Sequence, residues 1–567
     1  RVTTAWFAKP GIVKKVIKIT LLEVPSMLRN QFRFIRTIAG LSLAIVFLFA
    51  AAEAQTTTGT ITGRVVDGQG NVVPGAKVAA TNRATNIERS VVANSDGDFT
   101  ITDLAPGRYN VAVEAPTFSR SLVEDLELNV GARQTLNLEL KPGNVTETVT
   151  VTADAPLVET TKSDIGTAVT PAEIQGLPLL NRTFAGLTVI APEARPVGTF
   201  DPTKTRVGTV AFNGGDGRGV NVNVDGGDNK DNVVGSLLQN FSYESIQEFQ
   251  IQQHRWTAEQ GRAVGGIVNV VTKSGGNEFH GSLFANFRDD AIQLRDFFDK
   301  QPTALLPNGR DNPEFQRQEV GGSIGGPIVK DKLFFFFALE RFRERPINAA
   351  DPRFVADLQA LNTAFPTIAF DQDIATPYDD TLLTGKVDFR INDKQNMFVR
   401  YSFQDNNSPN DQIGTPHRTN LSGGNVTTNR LHSLAANHSY SISPNWLNTF
   451  VFHFQDFKNE ILPNEAGIGL ALQFPNGVTI GQNANTPQAT LERKYQFRND
   501  LTYIKGDRTL KFGVNYIDTT LDGYFFFGVQ GYNLTFRQTP TQIIAGGGFN
   551  RDDLIQSIQF SDGASSH

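Results

Sequence analysis

The sequence predicts a mainly β chain in three parts: a small β-sandwich, a compact α+β unit, and amphipathic strands of the kind that form a transmembrane β-barrel. Three observations predict it. Short alternating segments punctuated by turn dipeptides fill residues 57–141. Short strands and helical pieces mix between residues 157 and 275. From residue 277 to 567, strands of roughly ten residues carry apolar side chains on one face and polar ones on the other, separated by long Asn/Gly/Pro/Asp loops.

At 567 residues the chain is long enough for several domains. A hydrophobic fraction of 39% and a charged fraction of 19% are those of a folded protein. The net charge of −6 gives no general attraction to nucleic acid, and no nucleic-acid partner is expected. Phe is abundant at 42 residues and Gly at 51, against 2 Met and 3 Trp. That balance suits a β-rich fold, and the aromatic load suits a barrel with interfacial girdles facing lipid. With no Cys, disulfides, Cys-ligated zinc and thiol catalysis are excluded.

The N-terminal region reads as a targeting segment. In residues 27–54, Arg29, Arg33 and Arg36 make a basic start, and Ile38 to Ala50 make an apolar run. Ala52-Glu53-Ala54 then forms a small-x-small cleavage site before Gln55. This is a secretory signal peptide cut between Ala54 and Gln55. The apolar run is shorter than the ~20 residues a spanning helix needs. Met27 is the natural start, and residues 1–26, which lack an initiator Met, read as an upstream extension foreign to the protein.

Residues 57–141 turn at Asp67-Gly68, Pro74-Gly75, Asp96-Gly97 and Pro106-Gly107. Short strands between such turns predict an antiparallel sandwich, with Val111, Val113, Leu136, Leu138 and Leu140 on inward faces. The pattern GxVxDxxGxxVPGAxV from Gly63 to Val78, the run SDGDFTITDLAPGRYNVAV and the closing LNLEL resemble the carboxypeptidase regulatory-like (transthyretin-like) domain. That resemblance implies a carbohydrate-binding-like accessory sandwich and names no ligand.

In residues 157–275, Thr170 is placed to cap a helix, with Pro171 at its first position and Glu173 three residues on. NRTFAGLTVI follows, then the strands GVNVNVDGG, SIQEFQIQ and GGIVNVVTKSGG. RWTAEQGRA between the last two reads as a helical turn.

The later strands alternate cleanly. Phe279, Leu283 and Phe287 oppose His280, Asn286 and Arg288. Val387, Phe389 and Ile391 oppose Lys386, Asp388, Arg390 and Asn392. Met397, Val399, Tyr401 and Phe403 oppose Asn396, Arg400, Ser402 and Gln404, and Leu510, Phe512, Val514 and Tyr516 oppose Lys511, Gly513 and Asn515. Trp446, Phe450, Phe452 and Phe454 share a face. Alternation of this kind fits apolar side chains toward lipid and polar ones toward a lumen; in a large soluble β protein the apolar face would instead be a core.

From Leu157 on, the sequence is similar to the plug and early barrel of Oar-like TonB-dependent outer-membrane transporters. The similarity is carried by LPLLNRTFAGLTVIAPEA, FNGGDGRGVNVNVDGGDNKD, ESIQEFQIQQHRWTAEQGRAVGGIVNVVTKSGGNEFHGSLFANFRDD and GGSIGGPIVKDKLFFFFALERFRE. NGGDGRG departs from the family pattern in lacking the Arg that usually follows Asn-Gly closely. The resemblance implies a plug over residues 157–275 and the first part of a barrel over 277–567. It also implies more strands than this stretch holds, so the barrel is expected to be incomplete and the reading frame truncated.

No catalytic, cofactor or metal constellation is present, and the protein reads as a non-enzyme. Gly321-Gly322-Ser323-Ile324-Gly325 matches G-x-S-x-G but is followed by a turn and a strand, not by the helix a nucleophile elbow needs. The seven His are scattered, and DGGDNKDN from Asp225 does not keep a calcium-loop register, which leaves it as a plug loop. VTKSGG lacks phosphate-loop spacing, so the chain has no visible way to hydrolyse a nucleotide. The consecutive Phe334 to Phe337 read either as packing on the plug and one another or as part of an aromatic girdle.

The segment Glu147-Thr148-Val149-Thr150-Val151-Thr152-Ala153 alternates like a strand and stops before Pro156. A lone strand is unstable in water, so it needs a sheet. It resembles a TonB box in composition and lies in the expected place, within residues 145–156, after the N-terminal module and before the plug. That likeness implies docking to a TonB-type inner-membrane energy-coupling complex by strand addition, read mainly through the backbone. An extra edge strand of the sandwich or plug is the alternative.

The expected function is energy-coupled uptake of a large or scarce ligand across the bacterial outer membrane, with the N-terminal module in the periplasm. Siderophore, oligosaccharide and peptide all remain open as the ligand. An adhesion or secretion-linked barrel, and a soluble polysaccharide-binding β protein, are the alternatives.

Overall fold

The computed structural model describes residues 58–561 except 144–147, 153–164, 178–183, 198–208, 236, 257–259, 293–313, 414–416, 465–468, 506–507 and 527–530. The signal segment with Ala54 and Gln55, and both Glu147 and Ala153, lie outside the described residues.

The first strands are β1 (Gly59–Asp67), β2 (Lys77–Asn82), β3 (Glu88–Val92), β4 (Asp98–Leu104), β5 (Gly107–Glu114), β6 (Arg120–Leu128), β7 (Arg133–Thr135), β8 (Leu138–Leu140) and β9 (Thr148–Thr152). They form two sheets. One has the order β4-β1-β7, with β8 also on β1, and the other β3-β2-β5-β6-β9. Between them lie Ile61, Val65, Val78, Phe99, Val111, Val113, Leu138 and Leu140, all buried, with Leu136 partly buried beside them. Each such side chain contributes ~1.5–3 kcal/mol of burial. Gly63 is required by close approach: a Cβ there would lie 1.9 Å from the Leu136 carbonyl oxygen.

The sandwich is not wholly antiparallel as the turns suggested. β7 and β8 run parallel to β1, and β9 runs parallel to β6. The chain crosses from one sheet to the other after β6 and again after β8, and such crossovers, unlike hairpins, allow parallel neighbours.

An inner unit follows, with β10 (Ile165–Val169), α1 (Pro171–Gly176), α2 (Phe184–Leu187), β11 (Arg195–Val197), β12 (Thr209–Ala211), β13 (Val220–Val224), β14 (Gly227–Asp228), β15 (Ile246–His254) and β16 (Gly266–Thr272). Its main sheet has the order β10-β15-β16-β13-β14. α1 starts as the sequence requires, with the Thr170 side chain and Glu173 closing a reciprocal capping box. Phe249, Ile251, Val268 and Val270 pack with Ile174 and Leu187. On the other face of β13, Asn223 donates to Asn269 Oδ1 at 3.0 Å, which satisfies two buried amides. The described parts of RWTAEQGRA are not helical; Arg255 and Arg262 take left-handed φ of 55° and 61°, and residues 257–259 lie outside the description.

The largest sheet contains β17 (His280–Asp289), β18 (Phe315–Val329), β19 (Leu333–Ala349), β20 (Asp373–Ala375), β21 (Tyr378–Asn392), β22 (Gln395–Pro409), β23 (Asn425–Ser443), β24 (Trp446–Pro463), β27 (Gln488–Lys505) and β28 (Arg508–Phe525). Apart from β20, which pairs only β19, these follow one another as an antiparallel meander. Among the described residues, β17 and β28 each have one neighbour, so the barrel sheet is open. Apart from β17, with ten residues, and the short β20, the strands are longer than the expected ten residues, up to 19 in β23, because they continue past the apolar band into the long connections.

The polarity of this sheet is inverted relative to a soluble core. Leu283 is 93% exposed and Leu510 51%, whereas Arg400 and Lys494 are fully buried. A soluble sheet would hide the apolar face; here that face is bare and the polar face is packed, which is the arrangement of a barrel wall in lipid.

The long connections are not loose loops. Together with α3 (Val355–Ala364), β25 (Gly469–Gln473), β26 (Thr479–Ile480), β29 (Gly531–Phe536), α4 (Pro540–Ala545) and β30 (Ile555–Ser561) they form a cap with its own sheet, β26-β25-β29-β30. Leu358, Leu361, Phe474, Val478, Phe536 and Ile543 form its core. Asp357 ties the connections together, accepting from the Thr541 backbone N–H at 2.9 Å, from Thr541 Oγ at 2.7 Å and from Asn476 Nδ2 at 2.8 Å.

Candidate functional site

The DGGDNKDN stretch opens a tight hairpin between β13 and β14, with Asp225 at φ 51° and Gly226 at φ 84°. Asp-Gly is the dipeptide that tolerates two left-handed residues in such a turn. The turn presses on the polar face of the barrel sheet, where a Cβ on Gly227 would lie 2.6 Å from the His453 ring.

From Asp225 to Glu244 the chain meets side chains of β17, β19, β21, β22, β23, β24 and β27. Asp225 Oδ2 lies 3.0 Å from Arg400 Nε on β22 and its Oδ1 lies 3.9 Å from Lys386 Nζ on β21. Thr272 adds a backbone N–H at 2.9 Å and a hydroxyl at 2.7 Å to the same carboxylate, and the Arg400 guanidinium stacks 4.9 Å from the Phe241 ring. Asp228 Oδ1 accepts from Lys494 Nζ on β27 at 2.7 Å, and Lys494 also lies 3.2 Å from Glu492. Gln455 on β24 donates to Asn229 at 3.0 Å, Ser433 on β23 to Gln239 at 2.8 Å, and Asn240 N–H to Gln404 on β22 at 2.9 Å. Ser242 donates to Glu340 on β19 at 2.9 Å, and Ser282 on β17 to Glu244 at 2.7 Å. Each neutral bond contributes ~0.5–1.5 kcal/mol, and those to charged groups ~1.5–3. Their number makes the inner unit a fixed filling against the wall.

Sequence reasoning placed Lys386 and Arg400 on the polar face but did not pair them with Asp225. The signal was there, since a cation on the polar face of a barrel strand needs an anion, but the partner is more than 160 residues away. Among the described residues there is no group of three or more His, Asp or Glu arranged to hold a metal.

At the short-turn end of the sheet the sandwich touches both other parts. Arg89 pairs with Asp103 at 3.0 Å and donates to Ser439 Oγ at 2.8 Å, and Arg89 also reaches Ser441; both serines are on β23. Asn86 and Asn277 both donate to Asp331 in the β18–β19 turn, at 2.8 Å and 2.7 Å. The Val130 N–H, just after β6, donates to Glu248 on β15. Burial pushes the Glu248 carboxyl up to about 8, with the Val130 hydrogen bond opposing the rise and nearby Glu127 adding to it.

The expected coupling segment lies on this sandwich. Thr148–Thr152 is β9, paired in parallel with β6 from Arg120↔Thr148 to Glu124↔Thr152. In the described state it has a sheet within the chain, which is the edge-strand alternative.

Other motifs fall where their context put them. Gly321–Gly325 lies within strand β18, with Ser323 Oγ 2.9 Å from Ser282 Oγ. Phe334 and Phe336 are buried on the inner face. Phe337 is exposed, and the Phe335 ring lies 6.3 Å from that of Phe279 on the lipid-facing row, so the run alternates between the two faces of the sheet.

The carboxypeptidase regulatory-like domain matches residues 60–141. The TonB-dependent transporter Oar of Myxococcus xanthus is 30% identical over 298 residues, covering 51% of this chain and 27% of that protein. Among solved structures, the outer membrane transporter YddB from Escherichia coli is similar with a TM-score of 0.49 and 12% identity, over 65% of this chain and 50% of that one. The ferric yersiniabactin uptake receptor FyuA from Yersinia pestis is similar with a TM-score of 0.43 and 13% identity, over 65% and 51%. The chain thus spans about a quarter of the curated relative's length and about half of those structures. The outer membrane beta barrel domain matches residues 271–380 and 354–554, together half of the chain, and the chain belongs to that family.

Proposed function

We propose that this chain serves TonB-dependent, energy-coupled uptake across the bacterial outer membrane, with the sandwich on the periplasmic side and the cap outside. The observation that supports it most is the inner unit bonded to seven strands of the wall. A lumen filled in this way passes nothing until the filling moves, and moving it means breaking buried ion pairs. The sequence has no nucleotide-hydrolysing loop, so that work comes from a partner. The similarity to the Oar transporter supports a TonB-type inner-membrane complex in that role; the place of Glu147–Ala153 between the sandwich and the inner unit makes it the segment on which we propose that complex acts. The outer-membrane lipid covers the apolar face, and the ligand is a siderophore, oligosaccharide or peptide taken from the cap side. No catalytic role is proposed.

The test is accumulation of labelled ferric siderophores, oligosaccharides and oligopeptides by expressing cells, with and without a protonophore. Accumulation that the protonophore stops is expected. Surface binding of the same probes without protonophore-sensitive accumulation would replace this reading with adhesion.

A further inference from the structure

We propose that the outer face of the barrel wall carries a lipid-phosphate site: Arg341, Arg343 and Arg345, in line on the outward face of β19, bind the phosphate of an anionic lipid in the leaflet on the cap side. With the cap outside, that leaflet is the outer one. The site requires the wall to stand in lipid and requires nothing of the uptake reading.

The strand period makes the column. In β19 the even positions Phe334, Phe336, Ala338, Glu340 and Glu344 are buried on the inner face. The odd positions face out, first the exposed Phe337 and Leu339 and then the three arginines. Successive outward positions are ~6.8 Å apart, so the column is ~13 Å long.

The switch from apolar to polar falls at one level across neighbouring strands. Val320 on β18, Arg341, Thr381 on β21 and Asp405 on β22 lie in one cross-strand row. The outward row on its short-turn side holds Gly322, Leu339, Leu383 and Phe403. The row on its other side holds Gln318, Arg343, Asp379 and Asn407. The apolar band therefore ends at Arg341, and Arg343 and Arg345 stand at headgroup depth. Beyond Arg345, β19 pairs with β20 and runs on into α3 of the cap. At this depth a lipid-facing cation costs little, because a long Arg side chain buries its stem and keeps its head among polar groups.

The three cations share one anion. Asp379 Oδ2 lies 2.9 Å from Arg345 Nη2, and its Oδ1 lies 3.2 Å from Arg341 Nη2 and 3.6 Å from Arg343 Nε. On the outward faces of β19 and β21, Asp379 is the only carboxylate among the described residues. Arg341 also donates to the Thr381 hydroxyl, and Arg345 to the Glu344 carbonyl at 2.8 Å and the Tyr378 carbonyl at 3.3 Å. The Arg343 side chain is 55% exposed and makes no hydrogen bond among the described residues. Elsewhere on the outer face cations and carboxylates pair one to one, as Arg430 with Asp405 at 2.8 Å and Arg493 with Asp456 at 2.9 Å. Three guanidinium groups on one carboxylate are a different arrangement.

That arrangement fits phosphate. A guanidinium offers a planar fork that takes two phosphate oxygens at once. Exposed ion pairs such as those to Asp379 are weak and do not hold the guanidinium groups against such a ligand. Gln316 and Gln318, exposed on β18 opposite Arg345 and Arg343, add amide donors beside the fork. Clustered cations at the membrane surface attract anionic headgroups, and what reaches this face at this depth is lipid.

The full chain, purified in detergent and stripped of copurified lipid, is titrated with fluorescent bisphosphoryl lipid A and with the same lipid after removal of both phosphates. Wild type should bind the phosphorylated form more tightly by about tenfold. Arg343→Gln with Arg345→Gln should abolish that preference, and inorganic phosphate should not displace the lipid. No preference in wild type, or a preference unchanged in the double variant, overturns the proposal, the contact then being with acyl chains on the apolar band. Displacement by inorganic phosphate would assign the site to free phosphate and overturn the lipid as its ligand. If the double variant does not fold, Arg343→Lys with Arg345→Lys keeps the charge and loses the fork; it should weaken the phosphorylated lipid by about threefold, and an unchanged affinity again overturns the proposal.

Discussion

Replacing Glu248 with Gln should make the contact between the sandwich and the inner unit insensitive to pH and tighter above neutrality. In the docked state the Glu248 carboxyl is 2% exposed and burial pushes it up to about 8, from an ordinary 4.5. A group raised in the docked state binds its proton more tightly there than when released. Its contribution is fully present below about 4.5 and is lost as pH rises through about 8. At pH 7 the difference is ~2.5 units, or about 3 kcal/mol, and above pH 8 it approaches ~5 kcal/mol. Glutamine keeps a carbonyl to accept the Val130 N–H and carries no charge, so it removes this cost. Hydrogen exchange at Val130, Gly131 and β15, compared at pH 5.5 and 8 after correction for intrinsic rates, reads the contact. Wild type should lose protection as pH rises, and Glu248→Gln should not. Protection that is equal at both pH values in wild type, or that changes in parallel in the two proteins, would refute the reasoning.

Other outcomes follow from the same geometry. Arg400→Ala leaves Asp225 buried with a weakened set of partners and should cost about 3–5 kcal/mol, seen as a lower thermal midpoint in detergent; adding Asp225→Ala should recover much of it. Gly227→Ala places a Cβ 2.6 Å from the His453 ring and should cost ~1–3 kcal/mol, a loss that His453→Ala relieves. Asp357→Ala removes the acceptor shared by Thr541 and Asn476 and should raise hydrogen exchange in α4 and in residues 474–480 while leaving β21–β24 unchanged.

Local pattern was enough to read much of this fold. The α1 cap at Thr170 and Glu173 is set by four neighbouring residues, and the sandwich core by alternation in β5 and β8. The lipid-facing row of Leu283, Val399 and Leu510 is set by period two. What was not legible depends on distance along the chain. The pairing of Asp225 with Arg400 joins residues 175 apart (400 − 225), and nothing local in either names the other. The cap is not legible because its apolar residues are spread over three separate stretches, 350–370, 472–480 and 534–555, so no single one has a face to bury. The β6–β9 pairing was invisible for a related reason: TVTVT fits any open edge, and only the route of the chain past Thr117 selects β6.

Coupled uptake is tested most directly by deleting Glu147–Ala153 and measuring protonophore-sensitive accumulation together with cell-surface binding of the same labelled ligand. The deletion should abolish accumulation and leave surface binding at the wild-type level. Accumulation unchanged by the deletion would contradict the account.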